Sequence, residues 1–243
     1  MRTAALWIIP VAGLLGPALA GAEGFRDLFN GKDLDGWVVE GPQTDSEKNP
    51  IWAARDGLIV CSGKGLGFLR YDRQQFGDFV LRVEYRFAPP SKTNPRGNSG
   101  IGIRTRPYDP KRSAETRPSY YCFEVQLQDD AGRPPNKHST GSLYRYHAPS
   151  ANPVKPAPAW NTVEVECVGP RIKVTVNGQK VVDVDQTTLP DLTAQDDPFK
   201  PAQLAPPKDK PLKGYVCLQT HTGKVEFRKV QIKEIPAAPA KPE

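Results

Sequence analysis

A carboxylate at Glu124, an imidazole at His221 and a guanidinium at Arg104 lie in three short stretches that alternate apolar and polar residues. Over 123–128, Phe123, Val125 and Leu127 alternate with Glu124, Gln126 and Gln128. Over 98–104, Ile101 and Ile103 alternate with glycines and end beside Arg104. Over 216–221, Val216 and Leu218 alternate with Gln219 and His221. A two-residue period is that of a strand with one face in a core. Set side by side, such strands make a sheet with an oily face and a face carrying a carboxylate, a guanidinium, amides and an imidazole. The chemistry on offer is proton transfer. A carboxyl flanked by apolar residues can have its pKa raised for general acid–base work, and an imidazole titrates near neutrality. A fixed cation such as Arg104 holds a developing oxyanion or enolate. Asn98, Gln126 and Gln219 add the mixed donors and acceptors that sugar hydroxyls require. Any one polar strand residue normally just faces water; three converging strands are what point to a pocket.

Other chemistries find less support. Gly63, Gly65 and Gly67 form a glycine-rich stretch, but no helix follows to present its N-terminus to a phosphate. No serine sits in a nucleophile elbow. The three histidines, 138, 147 and 221, lack the spacing of a metal site. Glu84, Glu124 and Asp129 are possible oxygen ligands for calcium, without a loop signature to support them. No cofactor is therefore expected, and a bound divalent cation such as calcium stays open. A two-carboxylate glycosidase needs acids on both sides of the scissile bond. The strand of Glu124 offers only glutamines beside it, so Glu84 would have to come from another strand. Cys61, Cys122, Cys167 and Cys217 are too widely spaced for zinc. They are either two disulfides, Cys122 and Cys217 sharing the parity of Glu124 and Gln219, or four buried thiols.

The elements that must carry these residues are short. The 26 prolines and 21 glycines cut up the chain, and helical periodicity is nearly absent. Strands are expected over 37–39, 51–54, 57–61, 67–71, 79–87 and 99–104. Others are expected over 121–128, 163–168, 171–176, 179–184, 214–220 and 225–234. This is an all-β pattern, a sandwich or jelly roll of antiparallel sheets. Asn177-Gly178 between two alternating runs signals a tight hairpin. Strand 79–87 has Phe79, Leu81, Val83, Tyr85 and Phe87 on one side and Arg82, Glu84 and Arg86 on the other. That charged side is ordinarily solvent-facing, unless the strand shares the sheet of Glu124. The long segments 89–98, 104–119, 129–160 and 187–213 are read as walls around the polar strands.

Arg2, the apolar run 4–15 and the small residues 18–22 read as a secretory signal peptide over 1–22, so a secreted or periplasmic location is expected. A single domain is expected over 23–235, with a flexible tail over 236–243. The formal charge of +6 on 243 residues is modest and dispersed. No basic stripe with stacking aromatics suggests nucleic acid, and no later run suits membrane insertion.

Several ordered segments carry a resemblance. They are 28–37, opening on Leu28-Phe29-Asn30-Gly31, then 79–86, 97–104, 123–126, 141–144 (Gly141-Ser142-Leu143-Tyr144), 160–162, 176–178 and 218–228. Together they resemble the 3-keto-disaccharide hydrolase family, the 3-keto-glucoside 1,2-lyase and 3-keto-2-hydroxyglucal hydratase domain, across 25–235. One departure is Thr222, which stands between His221 and Gly223 where the family commonly has the two adjacent. The resemblance implies a concanavalin A-like jelly-roll sandwich of two antiparallel sheets with long loops around a concave face. It also implies action on an oxidised oligosaccharide or glycoside by C2 proton abstraction, elimination at C1 and rehydration. For that chemistry Glu124 is the expected base, Arg104 the enolate stabiliser and His221 the acid. Asn98, Gln126, Tyr144 and Gln219 would bind sugar hydroxyls, with Glu84 and His138 as further candidates. A sugar-binding or surface-interaction module without turnover and a glycanase using Glu84 with Glu124 are the alternatives.

Overall fold

The computed structural model describes residues 24–109, 111, 117–199 and 204–236. The segment read as a signal peptide, 1–22, and the tail beyond 236 lie outside the described residues. Thirteen strands are described: β1 (Arg26–Asp27), β2 (Trp37–Glu40), β3 (Trp52–Arg55), β4 (Leu58–Cys61), β5 (Gly67–Tyr71), β6 (Phe79–Phe87), β7 (Asn98–Thr105), β8 (Phe123–Gln128), β9 (Asn161–Val168), β10 (Arg171–Val176), β11 (Gln179–Asp185), β12 (Tyr215–Thr220) and β13 (Val225–Glu234). They form two antiparallel sheets. The larger runs β11-β10-β9-β6-β13-β4-β3, with β1 beside β13, and the smaller runs β2-β5-β12-β7-β8. The all-β expectation holds.

The alternation read in the sequence is the burial observed. Phe79, Leu81, Val83, Tyr85 and Phe87 of β6 point inward against Val163 and Val165 of β9 and Val225 and Phe227 of β13. Ile101, Ile103, Val125, Leu127, Val216 and Leu218 close the core from the smaller sheet. A register shift between Phe227 and Lys229 makes Arg228 an extra residue in β13. Arg228 and Lys229 therefore both point outward while Val230 returns to the core. The hairpin at Asn177-Gly178 is the tight turn expected, with φ of 48° and 81° joining β10 to β11.

Two local differences from the sequence reading have simple causes. Strand β8 begins at Phe123 because the residues before it wind into a short helix, α1 (Pro118–Tyr121), with proline in the first turn where a missing N–H costs nothing. Strand β1 carries no sequence signal, because two exposed residues offer no period to read. Among the described residues, no helix is long and apolar enough to cross a membrane. The four cysteines are free, buried thiols. Cys122 belongs to the core between the sheets, whereas Cys217 packs under the outer face of the smaller sheet against Gly102.

Candidate active site

The outer face of the smaller sheet carries the polar half of each alternating strand. Register sets Glu124 of β8 opposite Gly102 of β7, and Gln126 opposite Gly100. On the far side of β7, Leu218 of β12 pairs with Ile101, which brings Gln219 onto the same face. The two glycines leave a trough between β8 and β12 that the Glu124 carboxyl and the Cys217 sulfur occupy. A Cβ on Gly100 would lie 2.2 Å from Glu124 Oε1, and one on Gly102 would lie 2.5 Å from Cys217 Sγ. The cleft above this trough is lined by Leu66, Asn98, Arg117, Ser119, Glu124, Gln126, Tyr144, Arg145, Gln219 and His221. The cleft is small and partly open to solvent.

The edge of β8 is covered by the segment after it. Gly141 N–H donates to Gln126 O at 2.9 Å, Gln126 N–H to Ser142 O at 3.1 Å and Tyr144 N–H to Glu124 O at 2.9 Å. This pairing turns the exposed edge into one wall of the cleft and plants Tyr144 and Arg145 beside Glu124. Arg145 adopts a left-handed backbone, φ 72°, and its N–H donates to Lys137 O at 2.9 Å. A neighbouring wall is α1 and the residue before it, which bring Ser119 and Arg117.

Glu124 is 3% exposed. Burial pushes its carboxyl up to about 7, while Arg145, a hydrogen bond from Gln219 and Arg117 pull the other way. A carboxyl poised there exchanges protons readily at neutral pH. Gln126 Nε2 donates to Asn98 Oδ1 at 3.1 Å, which turns the Asn98 amide so that its Nδ2 donates to His221 Nδ1 at 3.3 Å. Held this way, the neutral imidazole carries its proton on Nε2. His221 sits at the exposed rim, its pKa pushed below the ordinary histidine value by desolvation and then by Arg117. The extra Thr222 is accommodated by a paired bridge to Asn98, with bonds of 2.8 and 3.2 Å, that keeps His221 beside the amide.

Of the residues singled out in the sequence, Glu124, His221, Asn98, Gln126, Tyr144 and Gln219 meet around this cleft. Arg104 does not. Its φ of 55° and the register shift between Tyr215 and Cys217 break the alternation at the end of β7. Its side chain is carried to the interior, fully buried, where Nη1 donates to Gly169 O at 2.7 Å and Nη2 to Gly77 O at 3.0 Å. Asp78 lies 3.4 Å away. Arg104 ties the two sheets together and does not line the cleft.

Glu84 is also elsewhere, on the outer face of the larger sheet, bonded by Arg228 and Lys229. Burial there pushes its carboxyl up, but those two cations outweigh it and hold the group below the ordinary glutamate value. The pairing of Glu84 with Glu124 across one sugar bond is thereby excluded. Asp129, the third candidate calcium ligand, hydrogen-bonds through its backbone to Gly97 and lies 3.7 Å from Arg96. His138 stands next to the cleft without lining it, its ring edge-on to Tyr144 at 5.1 Å between centroids.

Arg117, Ser119, Arg145 and Leu66 were not singled out from sequence. Arg117 and Ser119 sit in a proline- and charge-rich connection with no period, where only the reading of 104–119 as a wall pointed their way. Arg145 follows Tyr144 directly, but a left-handed arginine leaves no trace in composition. The two guanidiniums occupy the electrostatic place assigned to Arg104.

A family profile described as the 3-keto-alpha-glucoside-1,2-lyase-like domain matches residues 24–233. No curated protein matches the chain. Among solved structures, one from Parabacteroides distasonis, provisionally called a glycosyl hydrolase, superposes with a TM-score of 0.66 at 24% identity, over 88% of this chain and 95% of its own. A second from the same organism, with the same provisional designation, gives 0.64 at 21% identity over 87% and 99%. At these identities the likeness concerns the fold.

Proposed function

The chain belongs to the 3-keto-alpha-glucoside-1,2-lyase-like family, and from that premise we propose that it cleaves 3-keto-glycosides by elimination and hydration. The observation that carries the reading is one buried carboxyl, poised near neutrality and faced by two guanidiniums, with no second acid among the described residues lining the cleft. A conventional glycosidase would need that second acid. A 3-keto sugar needs only one base, because its carbonyl acidifies the hydrogen at C2.

Glu124 removes that proton. The C2–H electron pair becomes the C2–C3 double bond, and the C3 oxygen becomes an enolate that Arg145 and Arg117 stabilise. The carbonyl then re-forms, the pair moves to C1–C2, and the C1–O bond breaks to release the aglycone as its alcohol after protonation. Water adds at C1 of the 2-hydroxyglycal, and C2 regains a proton, leaving the free 3-keto sugar. Since His221 titrates below its ordinary value, it is neutral when Glu124 is ionised. It donates a hydrogen bond from Nε2 to the departing oxygen, to which Glu124 passes the proton it gained; Glu124 then takes a proton from the incoming water and delivers it to C2. Asn98, Gln126, Tyr144 and Gln219 bind the sugar hydroxyls. We also propose export, from the pattern of residues 1–22; sequencing the N-terminus of the mature protein tests it, with a start close to residue 23 expected.

Incubation with a 3-keto-disaccharide and with its unoxidised parent tests the activity. Cleavage of the oxidised sugar alone, with solvent deuterium appearing at C2 when the reaction is run in D2O, is the expected result. Cleavage of the parent would make the protein an ordinary glycanase, and tight binding of either sugar without turnover would make it a binding module.

A further inference from the structure

Asp197 lies on the long connection between β11 and β12, outside the cleft, yet it is 2% exposed and grips two residues of the cleft walls. Its Oδ2 is 2.7 Å from Arg145 Nη1 and also accepts from the Tyr120 hydroxyl. Tyr120 is the penultimate residue of α1, buried under this connection. The same connection seizes it a second time, since Lys210 Nζ donates to the Tyr120 carbonyl. Lys210 is in turn fixed through its own carbonyl, which accepts from Gln186 Nε2 at 3.0 Å. Next to Asp197, Asp196 pairs with Lys137 at 3.0 Å, the residue whose carbonyl holds the Arg145 backbone. The Arg145 guanidinium is further sandwiched against Tyr144 and Tyr120, 4.7 and 5.1 Å from the ring centroids.

We infer that Asp197 is a positioning residue of the site: it fixes the Arg145 guanidinium beside Glu124 and couples that wall to the α1 wall through Tyr120. The inference rests on the proposed use of Glu124 as base and Arg145 as enolate stabiliser. It gives the connection 187–213 a specific task. A planar guanidinium on a left-handed residue has many alternative directions, and a buried carboxylate accepting from it in a fixed geometry selects one.

The groups facing Glu124 are Arg145 and Tyr144 from the covering segment, Arg117 from the residue before α1, and Gln219 and Cys217 from β12. Only Arg145 among them is bonded to Asp197. Deleting the Asp197 charge would by itself lower the titration midpoint of Glu124, because one negative charge leaves the neighbourhood. Losing the placement of Arg145 raises it. The two roles therefore predict opposite signs.

The experiment is a carbon NMR titration of Glu124, with 13C-labelled glutamate, in the unliganded full chain, comparing the parent with Asp197→Ala, Asp197→Asn and Arg145→Gln. Asp197→Asn keeps the shape and an oxygen acceptor, so it folds if Asp197→Ala does not; thermal melting identifies the folded variants. An upward shift in a folded Asp197 variant, in the direction of Arg145→Gln, supports positioning. It should come with kcat on a 3-keto-glucoside reduced roughly 10–100-fold and KM changed less, as expected for a misplaced stabilising group. An unchanged or lowered midpoint in a folded variant overturns the inference. The titration needs no substrate, so failure of the parent to cleave a 3-keto-glucoside would sink the proposed function separately.

Discussion

At the scale of single residues, Glu124 couples activity and stability through one proton. In the unfolded chain its carboxyl titrates in the ordinary range, whereas in the fold it holds its proton up to about 7. Between those values the folded state binds more protons than the unfolded state, so stability falls as pH rises through that window. The loss amounts to about 3 kcal/mol once the pH exceeds 7. Glu124→Gln should therefore melt higher than the parent at pH 8 and close to it at pH 5, while losing turnover by about 10²–10⁴-fold. A variant that melts lower at pH 8 would mean that the ionised carboxylate is well solvated or well paired in the fold. The parent's kcat/KM should rise with pH along one limb centred near 7, as Glu124 ionises. His221→Asn should slow the reaction without moving the centre of that limb, because His221 gives up its proton below the ordinary histidine value; a shifted limb would make His221 the titrating group.

At the scale of elements, the site depends on what β7 leaves out. Gly100 and Gly102 alternate with Ile101 and Ile103, so the strand seals the core on one face and opens a floor on the other. Gly100→Ala places a methyl where Glu124 Oε1 lies 2.2 Å away, forcing the carboxyl from its place against Gln219. The expected outcome is a loss in kcat/KM of roughly 10–100-fold with a stability cost of about 1–3 kcal/mol from overpacking. Gly77→Ala is the control, since a Cβ there meets nothing closer than 4.0 Å. Parental kinetics in Gly100→Ala would show that the trough can close without consequence. The glycine alternation was plain in the sequence. Its purpose became visible only when β8 and β12 flanked it, since a glycine in a strand signals close approach without saying of what.

At the scale of the whole molecule, Arg104 shows how far a strand's period can be trusted. It continues the parity of Asn98, Gly100 and Gly102 and on that count belongs on the ligand face. A positive φ, imposed where β7 meets the irregular end of β12, sends it through to the interior. There it bonds the carbonyls of Gly77 and Gly169 at the ends of the larger sheet. Arg104→Met would leave those two carbonyls without their guanidinium partner, lowering stability by about 3 kcal/mol, read as a lower urea midpoint, with KM kept in the folded fraction. Unchanged stability with abolished turnover would return Arg104 to the chemistry. The sequence by itself determined the strands, the faces of most of them, the hairpin and the group of Glu124, Asn98, Gln126, Gln219 and His221, because apolar burial enforces a period that local residues must obey. Only the tertiary structure decided that Arg145 and Arg117 supply the positive charge, that Glu84 belongs to the other sheet, and that Asp197 and Tyr120 lock the walls. Those outcomes depend on register shifts, left-handed residues and connections that return from far along the chain, and no short-range period records where such segments come to rest.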